Sequence, residues 1–171
     1  MKIDLGTENM NKNDYYLIIT TIDDYEIDIE NGFKFLGFPY RNKSSVNNFE
    51  VGNHIIMYLS KISSFAAELE VCGEAFYDDS QVWNDYLETY PCRIPCKVIR
   101  YAPLPKHDDY DFKPKHFPKI KEQMVFIKDI WDNLDLISNK GKWGSQLMGS
   151  FRKISEHDFM VISEALTKSI K

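Results

Sequence analysis

Little cysteine, no long apolar run and no catalytic motif characterise this chain of 171 residues. Its three cysteines, Cys72, Cys92 and Cys96, are too few and odd in number for a disulfide framework. The Cys92–Cys96 spacing does not fit a zinc knuckle, and no second pair completes a set of about four ligands. All three are therefore expected in the core, with no metal. The longest apolar runs, near Ile55–Leu59 and Tyr15–Ile19, have the length of strands and fall short of the ~20 residues that cross a bilayer. Met1–Asn13 is polar and lacks the apolar stretch of a signal peptide, which predicts a cytoplasmic protein with no membrane partner. Neither a phosphate loop (GxxxxGK[ST]) nor GxGxxG is present, and there is no nucleophile elbow and no HExxH. His54, His107, His116 and His157 are scattered. Asp78 and Asp79 read more readily as a turn cap than as an acid–base pair. The expectation is a binding domain, not an enzyme, with no catalytic residue and no cofactor.

What is present is one domain's worth of chain with 43% hydrophobic residues, enough for a core without staples. The formal net charge of −5 argues against a general nucleic-acid binder. The charge is unevenly spread: residues 1–90 hold 6 Lys+Arg against 16 Asp+Glu, and residues 91–171 hold 15 against 10. A basic face on an acidic body accommodates that split, as does a chance distribution of solvated charge. No repeat or linker divides the chain. We expect an N-terminal extension over 1–13 and a single domain over 14–171.

Tyr15–Thr21 reads as a strand rich in aromatic and β-branched residues. Asp23–Asn31 reads as a short helix ended by Gly32. Phe33–Asn42 reads as a loop because of Gly37 and Pro39, although it is unusually aromatic. Lys43–Phe49 suggests a helical turn. His54–Ser60 and Phe65–Phe76 read as strands joined as a hairpin. In the second, Phe65, Ala67, Leu69, Val71 and Ala75 are expected on one face and Glu68, Glu70 and Glu74 on the other. Tyr90–Tyr101 is a further strand with Cys92, Ile94, Cys96 and Val98 inward, and Pro95 marks an edge or bulge. Residues 103–123 read as a long exposed loop. Met124–Ile137 combines a strand-like start with a short helix, and Lys140–Gly149 is loop-like. In the last helix Ser155 and Asp158 form a capping box, and Phe159, Ile162 and Leu166 recur at helical spacing. The order predicts an α+β fold, a curved sheet or small barrel flanked by helices.

Aromatic side chains are numerous, and most are expected in the core. Trp83 stands apart, because it follows a strand inside the polar stretch Tyr77–Asp85. A Trp there is expected to be partly exposed and to cover a pocket or an interface. Aromatic walls are a general means of holding a flat base by stacking.

Five segments together resemble the EVE domain, a branch of the PUA-like superfamily related to YTH and ASCH domains. They are Tyr15–Thr20 (YYLIIT), Gly32–Asn42 (GFKFLGFPYRN), Val51–Tyr58 (VGNHIIMY), Glu74–Arg93 (EAFYDDSQVWNDYLETYPCR) and Leu134–Phe159 (LDLISNKGKWGSQLMGSFRKISEHDF). They stand in the family's order and span roughly residues 14–168. The resemblance implies a PUA-like curved mixed β-sheet or small β-barrel flanked by helices. It also implies a modified base in DNA or RNA as ligand, flipped into an aromatic pocket, and possible partnership with restriction-type defence proteins. The pocket would lie between Leu36–Phe38 and Asp78–Trp83, a stretch that includes Asp79 and Ser80. Trp83 would be a cage wall, Gly37 a source of backbone hydrogen bonds and Thr21 a polar base contact. Arg93, Trp143, Ser145 and Arg152 match family positions. Lys140, Lys142, Arg152 and Lys153, with Arg93, would hold phosphates. Position 36 departs from the pattern, with Leu where relatives usually carry Trp. Phe35 or Phe38 is then the expected second wall, unless the pocket is enlarged. The alternative reading is a protein-interaction domain that docks a partner through its aromatic loop.

Overall fold

Strand β1 (Tyr15–Thr20) has apolar residues on both sides because both of its faces are covered. Tyr16 and Ile18 enter one buried cluster and Leu17 enters another. The computed structural model describes residues 14–106, 112–149 and 151–171. It places β1 between a parallel neighbour, β3 (His54–Leu59), and an antiparallel one, β8 (Phe151–Ile154). Strands buried on both faces read as continuous apolar runs, as YYLII and HIIMYL do.

Among the described residues the sheet has eight strands. Its main path continues from β3 to β4 (Ser64–Val71), β6 (Cys92–Tyr101) and β2 (Phe35–Phe38), all antiparallel. Two short strands, β5 (Phe76–Tyr77) and β7 (Val125–Phe126), pair with β6 and β4. This is a mixed, curved α+β sheet with helices against it. β6 serves two parts of the sheet. Residues 96–101 pair with β4, and residues 92–95 pair with β2. Pro95, which has no N–H to give, stands at the changeover.

One face of the sheet holds the first apolar cluster, with Tyr25 from α1 (Ile22–Glu30) at its centre. The other face is packed by α2 (Glu156–Ser169) through Phe159, Ile162 and Leu166. Ser155 caps α2 by accepting from the Asp158 N–H at 3.1 Å, as the capping box predicts. The helix at 22–30 also matches its prediction, and Gly32 follows it at φ +66°.

The alternation expected in β4 fails at one point for a definite reason. Met57 pairs with Ala67 but Tyr58 pairs with Phe65, so Ala66 is an extra residue in a β-bulge. The bulge sends Phe65 to one apolar cluster and Ala67 to the other. It also frees the Ala66 carbonyl, which accepts from the Ala102 N–H at 2.8 Å and from the Tyr25 hydroxyl at 3.2 Å. Glu68 is likewise buried rather than outward-facing, paired with Arg100 and bonded by the Ser163 hydroxyl at 3.1 Å.

Four further expectations are corrected. Phe33–Asn42 contains strand β2, because Leu36 and Phe38 bury on one side while Gly37 lets Trp83 close over the other. Cys72 is exposed, since β4 ends at Val71; Cys92 and Cys96 are buried as expected. Within 103–123 the chain is not a plain exposed loop. Phe117–Ile120 forms a helical turn, and Ile120 and Met124 join the first core cluster. Lys140–Gly149 also carries a helical turn, with Leu147 buried. Residues 1–13 and the centre of the 103–123 segment lie outside the described residues. No helix among the described residues is long and apolar enough to cross a membrane.

Candidate functional site

β1 ends at Thr20, and the chain turns at once into α1. Thr21 is the N-cap, with extended backbone and a hydroxyl that accepts from the Asp24 N–H at 3.2 Å. An open cavity of about 260 Å³ lies at this strand-to-helix junction. Thr21, Asp24 and Asp28 line it from α1, and Leu36, Gly37 and Phe38 line it from β2. Trp83, Tyr90 and Arg41 complete much of the rest.

Trp83 sits where the sequence places it, facing Gly37, but it is only 4% exposed rather than partly exposed. A Cβ on Gly37 would lie 2.4 Å from the indole Cη2 and Cζ3 atoms, so the glycine allows the ring to lie against the strand. Phe35 and Tyr90 meet the indole edge-to-face at centroid distances of 6.0 and 5.7 Å. The Arg93 guanidinium carbon stands 5.5 Å from the ring centroid and covers one face. Indole Nε1 donates to Asp28 Oδ1 at 2.9 Å. A Trp inside a polar stretch is affordable here because its N–H and both edges are matched.

Two carboxyls, one helical turn apart on α1, face the cavity. Burial pushes the Asp28 carboxyl up to about 8, with the Trp83 N–H opposing and Asp24 assisting. Burial also raises Asp24, against the hydrogen bond to Thr21. Beside the cavity, the outer side of α1 borders a wider depression of about 630 Å³. Asp23, Glu26, Glu30 and Asp85 line it. That side repels phosphate, whereas Arg41 lines the cavity itself.

The sequence-predicted residues divide into those brought together and those not. Thr21, Leu36, Gly37, Phe38 and Trp83 line one cavity. Phe35, Asp79 and Ser80 do not line it. Phe35 points to the other side of β2, against Phe76 and Trp83. Asp79 is exposed, and Ser80 receives Arg93.

Arg93 is not placed as a phosphate contact. It is 1% exposed, and its guanidinium donates to the Tyr90 and Thr89 carbonyls at 3.3 Å and to Ser80 Oγ at 3.1 Å, with Asp78 at 3.3 Å. These contacts pin the 78–90 loop to β6. Arg93→Met should therefore cost about 1–3 kcal/mol in chemical denaturation, the penalty of buried carbonyls left without a donor. Near-normal stability with selectively weakened nucleic-acid affinity would restore the phosphate role.

The other basic candidates are spread out. Lys140 pairs with Asp132 and lies 5.6 Å from the Trp131 ring centroid. Lys153 pairs with Asp14 at 3.0 Å, and Arg152 donates to the Gln146 carbonyl at 2.6 Å. Lys142 is exposed. None of these four lines the cavity. Sequence reasoning missed Asp24, Asp28, Arg41 and Tyr90. Asp28 and Asp24 stand four apart, which predicts one helix face, but nothing in the sequence said which face meets a cavity. One group of possible metal ligands, Asp135, His157 and Asp158, has ligand atoms within 4.8 Å. Both Asp158 oxygens there already accept backbone N–H groups, from Asp135 at 2.7 Å and Leu136 at 2.9 Å.

No family model matches the chain. A UPF0310 protein of Pyrococcus abyssi is 26% identical over 163 residues, covering 89% of this chain and 99% of that one. Among solved structures, Rpa0253 from Rhodopseudomonas palustris superposes with a TM-score of 0.56 at 11% identity, over 91% of this chain and 94% of that one. The Mmi1 YTH domain in complex with RNA gives 0.56 at 10% identity, over 93% and 83%. At these identities the likeness is one of fold: the chain has a YTH-like architecture.

Proposed function

We propose that this protein is an EVE-type, non-enzymatic module that binds a single modified base of DNA or RNA in the cavity at the β1–α1 junction. One observation carries the reading. A cavity of about 260 Å³ combines an indole held against a glycine strand, one buried and one half-buried carboxyl and one arginine. That volume lies just below the ~300–1,000 Å³ typical of drug-sized ligands, a scale suited to one flat heterocycle. Thr21, Asp24 and Asp28 supply edge-directed hydrogen bonds, and Arg41 supplies charge for the phosphate at the mouth. The RNA-bound YTH neighbour lends support at the level of fold.

Flipping a base costs a few kcal/mol, less where the base is modified or unpaired, and a stacked contact returns ~1–3 kcal/mol. The indole is only 4% exposed, with Arg93 over its face, so stacking on it contributes little and edge hydrogen bonds provide most of the selectivity. Overall negative charge makes phosphate attraction weak. The test is affinity for single-stranded oligonucleotides, each with one modified base, at several salt concentrations. Affinity should depend on the modification and fall with salt by a slope of only a few. Arg41→Ala should lower affinity and flatten that slope by about one. Equal, tight binding of unmodified duplex would contradict the proposal.

A further inference from the structure

The two cavity carboxyls have different chemistry, and the difference specifies an edge. Asp28 is 4% exposed, and its Oδ1 accepts the Trp83 indole N–H. Its Oδ2 has no hydrogen-bond partner among the described residues, on a side chain that lines the cavity. Asp24 lines the same cavity from one helical turn away, and its backbone N–H is already used by Thr21. On a helix, positions four apart stand about 5–6 Å from each other at Cβ, near enough for their carboxyls to converge on two neighbouring atoms of one ring edge.

From this arrangement, and resting on the base-binding reading, we infer that the cavity selects bases that present an exocyclic amine beside an unprotonated ring nitrogen. In that pairing Asp28 Oδ2–H donates to the ring nitrogen and Asp24 accepts from the amine. Adenine and cytosine bear such an edge. Uracil and thymine replace the amine by a carbonyl, whose lone pairs would face the Asp24 oxygens, and their ring nitrogen is itself a donor facing the Asp28 O–H. Burial supports the donor role, since it lifts the Asp28 carboxyl to about 8 and keeps it largely protonated at neutral pH.

The groups facing Asp28 are few. Asp24 and Tyr25 lie on its own helix, Trp83 comes from the loop after β5, and Cys96 comes from β6. Burial drives both Tyr25 and Cys96 upward from already alkaline values, so neither titrates between pH 7 and 9. The binding form of Asp28 is the protonated one, so affinity is full below about pH 8 and falls as pH rises through it. For one linked proton the loss between pH 7 and 9 is about tenfold.

A carboxyl raised from 3.8 in the unfolded chain to about 8 in the folded one contributes stability that is present at pH 4 and lost progressively up to pH 8.

The matched probe pair is one single-stranded oligonucleotide carrying either 5-methylcytosine or thymine at the same position. The rings and the methyl group are alike, and the amine is exchanged for a carbonyl. 5-Methylcytosine should bind at least about tenfold more tightly, the value of one hydrogen bond to a charged group. Its affinity should decline about tenfold from pH 7 to 9. Asp28→Asn keeps a carbonyl for Trp83 and offers an N–H to the ring nitrogen at every pH. It should retain binding at pH 7 and abolish the decline. Its melting temperature should also lose the fall between pH 4 and 8, a readout that needs no ligand. Asp24→Ala should move the 5-methylcytosine-to-thymine ratio toward one. Equal binding of the two bases, or an unchanged pH profile in Asp28→Asn, overturns the edge assignment while leaving a base-binding cavity in place. Failure of the 5-methylcytosine oligonucleotide, and of one carrying N6-methyladenine, to bind at any pH overturns both.

Discussion

Trp83→Ala should destabilise the protein by about 3–5 kcal/mol, the range for emptying a buried aromatic site. The indole is 4% exposed, rests on Gly37, and is bracketed by Phe35, Tyr90 and Arg93. Its loss also leaves Asp28 without its N–H donor in a buried position. Trp83→Phe separates the two contributions. It keeps most of the volume and removes the donor, so the cost should fall to about 1–3 kcal/mol, the penalty of an unsatisfied buried polar group. Urea denaturation of the three proteins measures both values. A cost below 1 kcal/mol for Trp83→Ala would mean that the residue is a ligand wall alone, as a partly exposed Trp would be. Base binding should be lost in the alanine variant in either case. The denaturation curves therefore show how much of that loss is structural.

This outcome follows from a point that pattern reading could reach only halfway. A Trp in a polar stretch signals something unusual, and the structure does bring Trp83 to Gly37 at a cavity. Its burial was not legible, because the cover comes from residues far away in the chain: Asp28 lies 55 positions earlier. Strands with continuous apolar runs and the capped helices at both ends were readable, since their signals are local. The Ala66 bulge was not readable, because one extra residue in β4 acquires meaning only against the register of β3. β2 was obscured by Gly37 and Pro39, which resemble turn residues, yet Gly37 serves close approach of a ring. The phosphate role that the resemblance implies for Arg93 does not fit its surroundings. Its neighbours Ser80, Thr89 and Tyr90 reach it only because the 78–90 loop folds back over β6.

Gly37→Ala should be the second large effect. Its added methyl would stand 2.4 Å from two indole carbons and 2.9 Å from the Tyr90 Cβ. Contacts that short force the ring or the strand to move, and overpacking of this kind costs about 1–3 kcal/mol or more. The displaced indole also leaves Asp28 and deforms the cavity, so base binding should fall with stability. A double mutant reports the cause. In Gly37→Ala combined with Trp83→Ala, the methyl has room, so the pair should cost clearly less than the sum of the single changes. Additive costs would show that Gly37 is needed for some reason other than the indole. Circular dichroism melts of the four proteins provide the comparison.

The cavity itself can be observed while it fills. Labelling the protein with ¹⁵N and titrating it with a short single-stranded oligonucleotide that carries one modified base allows the Trp83 indole N–H and the Gly37 amide to be followed. The predicted result is saturable shifts at Thr21, Gly37, Arg41 and the Trp83 indole, absent with the unmodified oligonucleotide at the same concentration. Shifts confined to the exposed aromatic group of Tyr40, Phe76 and Tyr77, with the Trp83 and Gly37 signals unmoved, would contradict a base-binding cavity and place the interaction surface elsewhere.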